Sequence, residues 1–201
     1  MLVILAGVFS RGTNAPTVLT WATLLASAAA LCSTPTSHAP TLPFFGLIVL
    51  DPFAAVFRWF ALGVMGLVTL MVSSSSDVEG RWRGEYLGLL LLVGVGLLLM
   101  AEANHLLMAY LSMELVSLSS YCLVALTRDA RASEAALKYF LFGALSSGIM
   151  LFGISLLFGM TGELSFPLIG QATRGLQGPL ANGVAVATAL VFVGLAFKIS
   201  M

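Results

Sequence analysis

The chain has 201 residues, of which 59% are hydrophobic and only 9% are charged. Soluble domains carry about 25% charged residues, so nine basic and nine acidic side chains cannot cover a water-facing surface of this size. The net charge of zero gives no support for a nucleic-acid partner. Cys32 and Cys122 lie in apolar runs without paired spacing, which predicts neither a disulfide framework nor a metal site. The composition therefore predicts a multi-pass membrane protein.

Apolar runs separated by polar segments divide the chain into helices and loops. A first run, residues 2–10, is too short to cross a hydrocarbon core of about 30 Å and is interpreted as the tail of a longer helix. Six further runs are predicted to be full spans, at residues 17–31, 50–72, 86–100, 105–126, 134–160 and 181–201. The predicted fold class is an all-α, polytopic transmembrane helix bundle that forms a single domain over residues 1–201.

The arginines of the predicted loops indicate how the bundle is oriented. If the spans alternate in direction, five arginines lie on one side and one on the other: Arg11, Arg81, Arg83, Arg128 and Arg131 against Arg174. The positive-inside rule places the five-arginine side in the cytoplasm. This arrangement predicts that the N-terminus lies on the opposite side of the membrane.

Ionisable side chains within a span cost about 2.5–3.5 kcal/mol each on insertion scales, so they point to function. Glu114 lies near the centre of the run 105–126, and Tyr110, Ser117 and Tyr121 share its helical face. The pattern predicts a polar stripe that faces a partner helix. A carboxylate at mid-membrane must be protonated, paired or solvated, which suits a proton relay; a purely structural ion pair is the alternative.

Three cations in the predicted spans are less decisive. Lys138 has Glu134 four residues before it, an i,i+4 spacing typical of an interfacial pair. Lys198 either lies deep in the last span, where it can exchange protons with an acid, or extends to the interface. Arg58, early in its span, is interpreted as a paired or interfacial residue. Gly143, Ala144, Ser147 and Gly148 are interpreted as a structural stripe of small residues for close helix packing.

The segment 85–126, EYLGLLLLVGVGLLLMAEANHLLMAYLSMELVSLSSYCLVAL, and the later string EAALKYFLFGALSSG carry a family resemblance. They resemble subunit N of bacterial respiratory complex I over roughly residues 44–201, more than the sister subunits L and M or the multisubunit cation/proton antiporters. The resemblance implies the first half of an antiporter-like inverted-repeat fold, in which Glu114 and Lys198 form a coupled acid–base pair. It also implies a functional role for Lys138.

The resemblance carries further expectations about the whole complex. This chain would hold no redox centre, since NADH, FMN, iron–sulfur clusters and quinone would be handled by other subunits. Its partners would be the other membrane subunits of complex I and the lipid of a bacterial inner membrane. The family continues beyond Lys198 with a Pro-Phe-His segment and a second repeat, so the chain is interpreted as its N-terminal part. A subunit of a cation/proton antiporter and a truncated paralogue that does not pump are the alternatives.

Overall fold

The structure, a computed structural model, describes residues 15–33, 44–74 and 82–200. The described ranges form helices joined by short loops and contain no strand beyond two isolated bridges. The helices are α1 (Ala15–Ser33), α2 (Pro52–Ser74), α3 (Arg83–Ala101), α4 (Leu106–Val124), α5 (Ala130–Thr161), α6 (Phe166–Ala172) and α7 (Pro179–Ser200), with a 3-10 turn at Phe44–Gly46. The predicted all-α class is confirmed.

Six of these helices, all except α6, are long and apolar enough to cross a membrane. They correspond one to one with the six predicted spans, so the predicted multi-pass bundle is confirmed. The predicted helix tail at residues 2–10 lies outside the described residues. Neighbouring helices from α2 to α5 run antiparallel, because residue numbers rise on one helix as those of their contacts fall on the next.

Two segments predicted as loops are partly helical. Helix α5 begins at Ala130 rather than Glu134, because the Asp129 side chain accepts a hydrogen bond from the Ala132 amide at 2.7 Å and caps the first turn. The resulting helix of 32 residues is about 48 Å long, more than a hydrocarbon core requires. The predicted loop 161–180 contains the short helix α6, which has proline in its first turn.

Helices α5 and α7 pack closely and run antiparallel. A side chain built at Gly153 would lie 2.9 Å from the Leu190 Cβ, and one at Gly194 would lie 2.6 Å from the Met150 Cβ. The partner residue number on α7 therefore falls as the number on α5 rises. Glycine at these positions lets the two backbones approach, as small residues do in membrane bundles. These contacts place Lys198 at the same height along the bundle as residues 146–147 of α5.

The loops at one end of the bundle are joined by backbone hydrogen bonds. These link the segment before α2, the α3–α4 turn and the α5–α6 turn: Val49 N to Glu102 O (2.8 Å), Asn104 N to Leu47 O (2.9 Å) and Leu106 N to Leu164 O (2.8 Å). The turn between α3 and α4 is short, since α3 ends at Ala101 and α4 begins at Leu106. This end carries the predicted arginine-poor loops.

Candidate functional site

A largely buried ion pair joins α4 to α7. The Lys198 Nζ donates to the Glu114 Oε1 at 2.5 Å, and the side chains are 13% and 20% exposed. Glu114 lies eight residues from the start of α4, at about the middle of a span of 19 residues. Two ionisable groups are therefore paired level with the middle of α4, and the Lys198 side chain is directed toward Glu114.

Two hydroxyl groups complete the surroundings of this pair. Ser147 of α5 donates to the same Glu114 Oε1 at 2.5 Å, and the Lys198 ammonium also donates to the Ser117 Oγ at 3.1 Å. Ser117 in turn donates to the Met113 carbonyl of its own helix. Three helices thus contribute to one polar cluster, defined here as Glu114, Ser117, Ser147 and Lys198.

Tyrosines of α4 lie on either side of this cluster. Tyr121 is buried, its hydroxyl end packs against Gly143, and its ring meets that of Tyr139 edge to face at 4.7 Å. Tyr110 packs on the apolar cluster of α5 and α7 around Met150. The predicted polar stripe on α4 therefore faces partner helices.

Lys138 lies apart from the cluster. Its Nζ donates to the Glu134 Oε1 at 2.5 Å, and both side chains are 66% exposed. Lys138 precedes Ser147 by nine residues on α5, a separation of about 13 Å along the helix axis. The structure thus brings Glu114 and Lys198 together and places Lys138 near the arginine-rich end of the bundle.

Ser147 is a site residue that the sequence analysis assigned to packing only. The sequence placed Ser147 on the same helical stripe as Gly143, and the structure shows that Gly143, one turn earlier, lies on the face of α5 that meets α4. A serine one turn beyond such a glycine faces the same neighbour. Gly148, in contrast, has no atom within 4 Å of an added Cβ and takes no part in this close contact.

Arg58 and Glu102 form a second, largely buried ion pair, of which only Arg58 was singled out from the sequence. Arg58 was interpreted as paired or interfacial; its Nη1 lies 3.0 Å from the Glu102 Oε1, and the side chains are 8% and 13% exposed. Burial raises the pKa of the Glu102 carboxyl, and the adjacent Arg58 charge opposes that shift. Glu102 escaped notice because it occupies the α3–α4 turn rather than a span.

The described residues contain no group of three or more His, Cys, Asp or Glu side chains able to hold a metal ion. The polar cluster instead offers one carboxylate, one ammonium and two hydroxyls within hydrogen-bonding distance of one another. Such a set can accept, hold and release a proton, because carboxylate and amine both change charge and the hydroxyls both donate and accept.

Comparisons with known proteins identify the family of this chain. Residues 103–201 match the family described as "NADH:quinone oxidoreductase/Mrp antiporter, TM". Subunit N of the NADH-quinone oxidoreductase of Rhizorhabdus wittichii is 41% identical over 160 residues, which cover 78% of this chain and 32% of the relative. The Anaeromyxobacter sp. subunit N is 36% identical over 210 residues, covering 100% of this chain and 40% of the relative. The chain belongs to the subunit N family of NADH-quinone oxidoreductases.

Solved structures extend the similarity to the fold. A chain of respiratory complex I from Thermus thermophilus with bound aureothin matches with a TM-score of 0.70 and 32% identity, over 98% of this chain and 43% of that chain. A chain of the Mrp complex from Dietzia sp. matches with a TM-score of 0.64 and 27% identity, over 97% and 39%. This member of the subunit N family thus spans less than half the length of the relatives it matches.

Proposed function

We propose that this chain is a membrane-arm subunit of a proton-translocating NADH:quinone oxidoreductase, in which Glu114 and Lys198 carry the proton. The observation behind this proposal is the buried ion pair at 2.5 Å in the middle of the bundle. Apolar contacts and close glycine packing also join α4, α5 and α7, so the ion pair is not the sole link between these helices in the described residues. An ionisable pair at this depth is costly, and its presence favours a proton relay.

The chemistry follows from the charge of the pair. While Lys198 contacts Glu114, the carboxylate and the ammonium neutralise each other. If Lys198 left as a cation, an unpaired buried carboxylate would remain, at a cost of about 3–5 kcal/mol, so Lys198 first transfers its proton to Glu114 and leaves as a neutral amine, which takes up a new proton before it returns. The return of the cationic lysine displaces that proton. Opening and closing of one ion pair thus moves one proton, with Ser117 and Ser147 as hydrogen-bonding partners in both states.

The energy for this movement would come from quinone reduction in other subunits, which would also hold NADH, FMN and the iron–sulfur clusters. Arginine placement orients the chain in a bacterial inner membrane with the α4–α5 turn in the cytoplasm and the N-terminus on the periplasmic side. Lys138 then lies between the cytoplasmic surface and the polar cluster, a position suited to supplying protons. The other membrane subunits of the complex would cover the exposed apolar faces.

Replacement of Glu114 by glutamine tests this function. The amide preserves size and removes the ionisable group, so NADH-driven acidification of inverted membrane vesicles should be lost while the complex still assembles. Glu134→Gln is the matched control, because it removes an exposed carboxylate from α5. Near-normal acidification by assembled Glu114→Gln complex would contradict the proposal and favour a subunit that fills the membrane arm without pumping.

A cation/proton antiporter subunit is the second candidate, and the similarity to the Mrp complex of Dietzia sp. favours it. The same Glu114–Lys198 pair would then exchange protons for cations without a redox partner. Vesicles distinguish the two functions. An antiporter dissipates an imposed proton gradient when sodium is added, whereas the proposed oxidoreductase subunit generates a gradient only while NADH is oxidised.

A further inference from the structure

Two adjacent serines of α5 behave unlike the serines of α4. Ser146 and Ser147 are both buried. The four α4 serines each donate to the carbonyl four residues earlier in their own helix, which is the usual way to satisfy a hydroxyl inside a membrane helix: Ser112, Ser117, Ser119 and Ser120. Ser146 and Ser147 instead donate to neighbouring helices.

One of the two hydroxyls reaches the carboxylate of the ion pair, and the other reaches the α7 backbone one turn before Lys198. Ser147 donates to the Glu114 carboxylate of α4 at 2.5 Å. Ser146 donates to the Gly194 carbonyl of α7 at 2.8 Å. Successive residues of an α-helix point about 100° apart, so one turn of α5 can contact α4 and α7 at once.

The Gly194 carbonyl is directly linked to the position of Lys198. In an α-helix the carbonyl of residue 194 accepts the amide hydrogen of residue 198. Ser146 therefore bonds to the same carbonyl that accepts the backbone amide of Lys198. The contact depends on close approach, because a Cβ at Gly194 would lie 2.9 Å from the Ser146 carbonyl oxygen and 2.6 Å from the Met150 Cβ. Any shift of α7 along α5 would break this hydrogen bond and move Lys198 away from Glu114.

We propose that Ser146 and Ser147 are positioning residues that form a clamp on α5 and set the spacing between Glu114 and Lys198. The clamp rests on the proposed function, in that the pair it holds is the one assigned to proton transfer. Ser147 keeps the carboxylate directed toward α7 when the lysine leaves, because its hydroxyl remains bonded to the Glu114 Oε1. Ser146 keeps the α7 backbone in register, so the lysine returns to the same acceptor.

Threonine and valine provide a matched test at position 147. They have nearly the same volume and differ in one hydroxyl, so Ser147→Thr should retain proton pumping. Ser147→Val should lower NADH-driven acidification about ten-fold, which corresponds to loss of one charge-assisted hydrogen bond. Ser146→Ala should lower it less, because Gly194 retains its helical partner. Pumping is measured per assembled complex in inverted vesicles.

Infrared difference spectra add a readout that simple loss of packing would not move. The Glu114 carboxyl band is identified by its disappearance in Glu114→Gln, and it should shift in Ser147→Val but return to the wild-type position in Ser147→Thr. Equal pumping by the threonine and valine variants, or an unshifted band in Ser147→Val, would overturn the clamp. The infrared band reports hydrogen bonding to Glu114, whereas acidification reports pumping. The clamp and the proposed function can therefore fail independently of each other.

Discussion

Among the described residues, two largely buried ion pairs differ in chemistry. Arg58 and Glu102 join α2 to the end of α3, whereas Lys198 and Glu114 join α7 to the middle of α4. Arginine stays protonated under all physiological conditions, so the first pair can change charge only at its carboxylate. Lysine can release its proton when buried, so the second pair can change charge at both ends.

The surroundings of the two pairs differ as well. Glu102 lies in the α3–α4 turn, and its backbone carbonyl accepts a hydrogen bond from the Val49 amide. The Arg58–Glu102 ion pair therefore adds to the hydrogen bonds that hold one end of the bundle together. Glu114 is contacted by the Ser147 hydroxyl and by an ammonium that also bonds Ser117. Burial alone therefore does not identify a proton-carrying pair. The ionisable lysine and the two hydroxyl partners support the proposed proton-carrying role of Glu114–Lys198, and the Arg58–Glu102 pair has neither feature.

The largest expected effect is that of Lys198→Arg, which replaces the lysine of the Glu114–Lys198 pair by the type of cation found in the Arg58–Glu102 pair. Lys198→Arg keeps a positive charge beside Glu114 but removes the group that can lose a proton. We expect the complex to assemble and NADH-driven acidification to fall at least about ten-fold, equivalent to ~1.4 kcal/mol or more on the rate-limiting barrier. Lys198→Met, which leaves Glu114 unpaired, is the comparison variant. Wild-type pumping by Lys198→Arg would show that the lysine serves only as a fixed charge.

The reverse experiment breaks the structural pair. Arg58→Leu leaves the Glu102 carboxylate buried without its cation, and loss of one partner of a buried pair costs about 3–5 kcal/mol. We expect lower thermal stability of the purified complex but unchanged protons pumped per NADH oxidised by the folded fraction. The double variant Arg58→Leu/Glu102→Leu should recover most of the stability. A changed proton yield in the single variant would contradict the structural assignment.

The pH dependence of this variant has a defined sign. Burial raises the pKa of Glu102 above 4.5, and the Arg58 charge lowers it. A raised carboxyl pKa in the folded state gives stability that is present below pH 4.5 and is lost as the pH rises through the folded value. Without Arg58 the charge that lowers the pKa of Glu102 is gone. The loss of thermal stability in Arg58→Leu, relative to wild type, should therefore grow as the pH rises above 4.5. Thermal unfolding over a pH series measures it, and a deficit independent of pH would exclude Glu102 ionisation as its cause.

The fold was predictable from the sequence because span length and apolar runs leave few alternatives. The exceptions lie at helix ends, where single side chains decide the boundary. Asp129 caps α5 and extends it into a segment that looked like a charged loop. Ser165 and the proline that follows Phe166 begin a short helix in a segment predicted as a Gly/Pro loop.

The central pair was only partly predictable. Glu114 stood out by its depth, but the depth of Lys198 depends on how far α7 continues, and its acid partner is 84 residues away in sequence. Ser147 could not be separated from a packing residue, because a serine beside glycines suits both roles. Contacts between helices depend on how each helix is rotated about its axis and how it is aligned along its neighbour. The apolar pattern of the sequence does not determine either to the accuracy that a side-chain contact requires. The α5–α7 glycine contacts supply that register here.

An exposed ion pair completes the series and should give the smallest effect. Glu134 and Lys138 are both largely exposed, and such pairs contribute about 0.2–1 kcal/mol, so Lys138→Ala should leave thermal stability nearly unchanged. If Lys138 supplies protons from the cytoplasmic end, Lys138→Ala should still slow acidification, about two- to three-fold, because a proton path through water remains open. Glu134→Gln breaks the same pair while keeping the lysine, and it should pump normally. Equal slowing by both variants would assign the effect to the ion pair itself and return Lys138 to an interfacial, structural role.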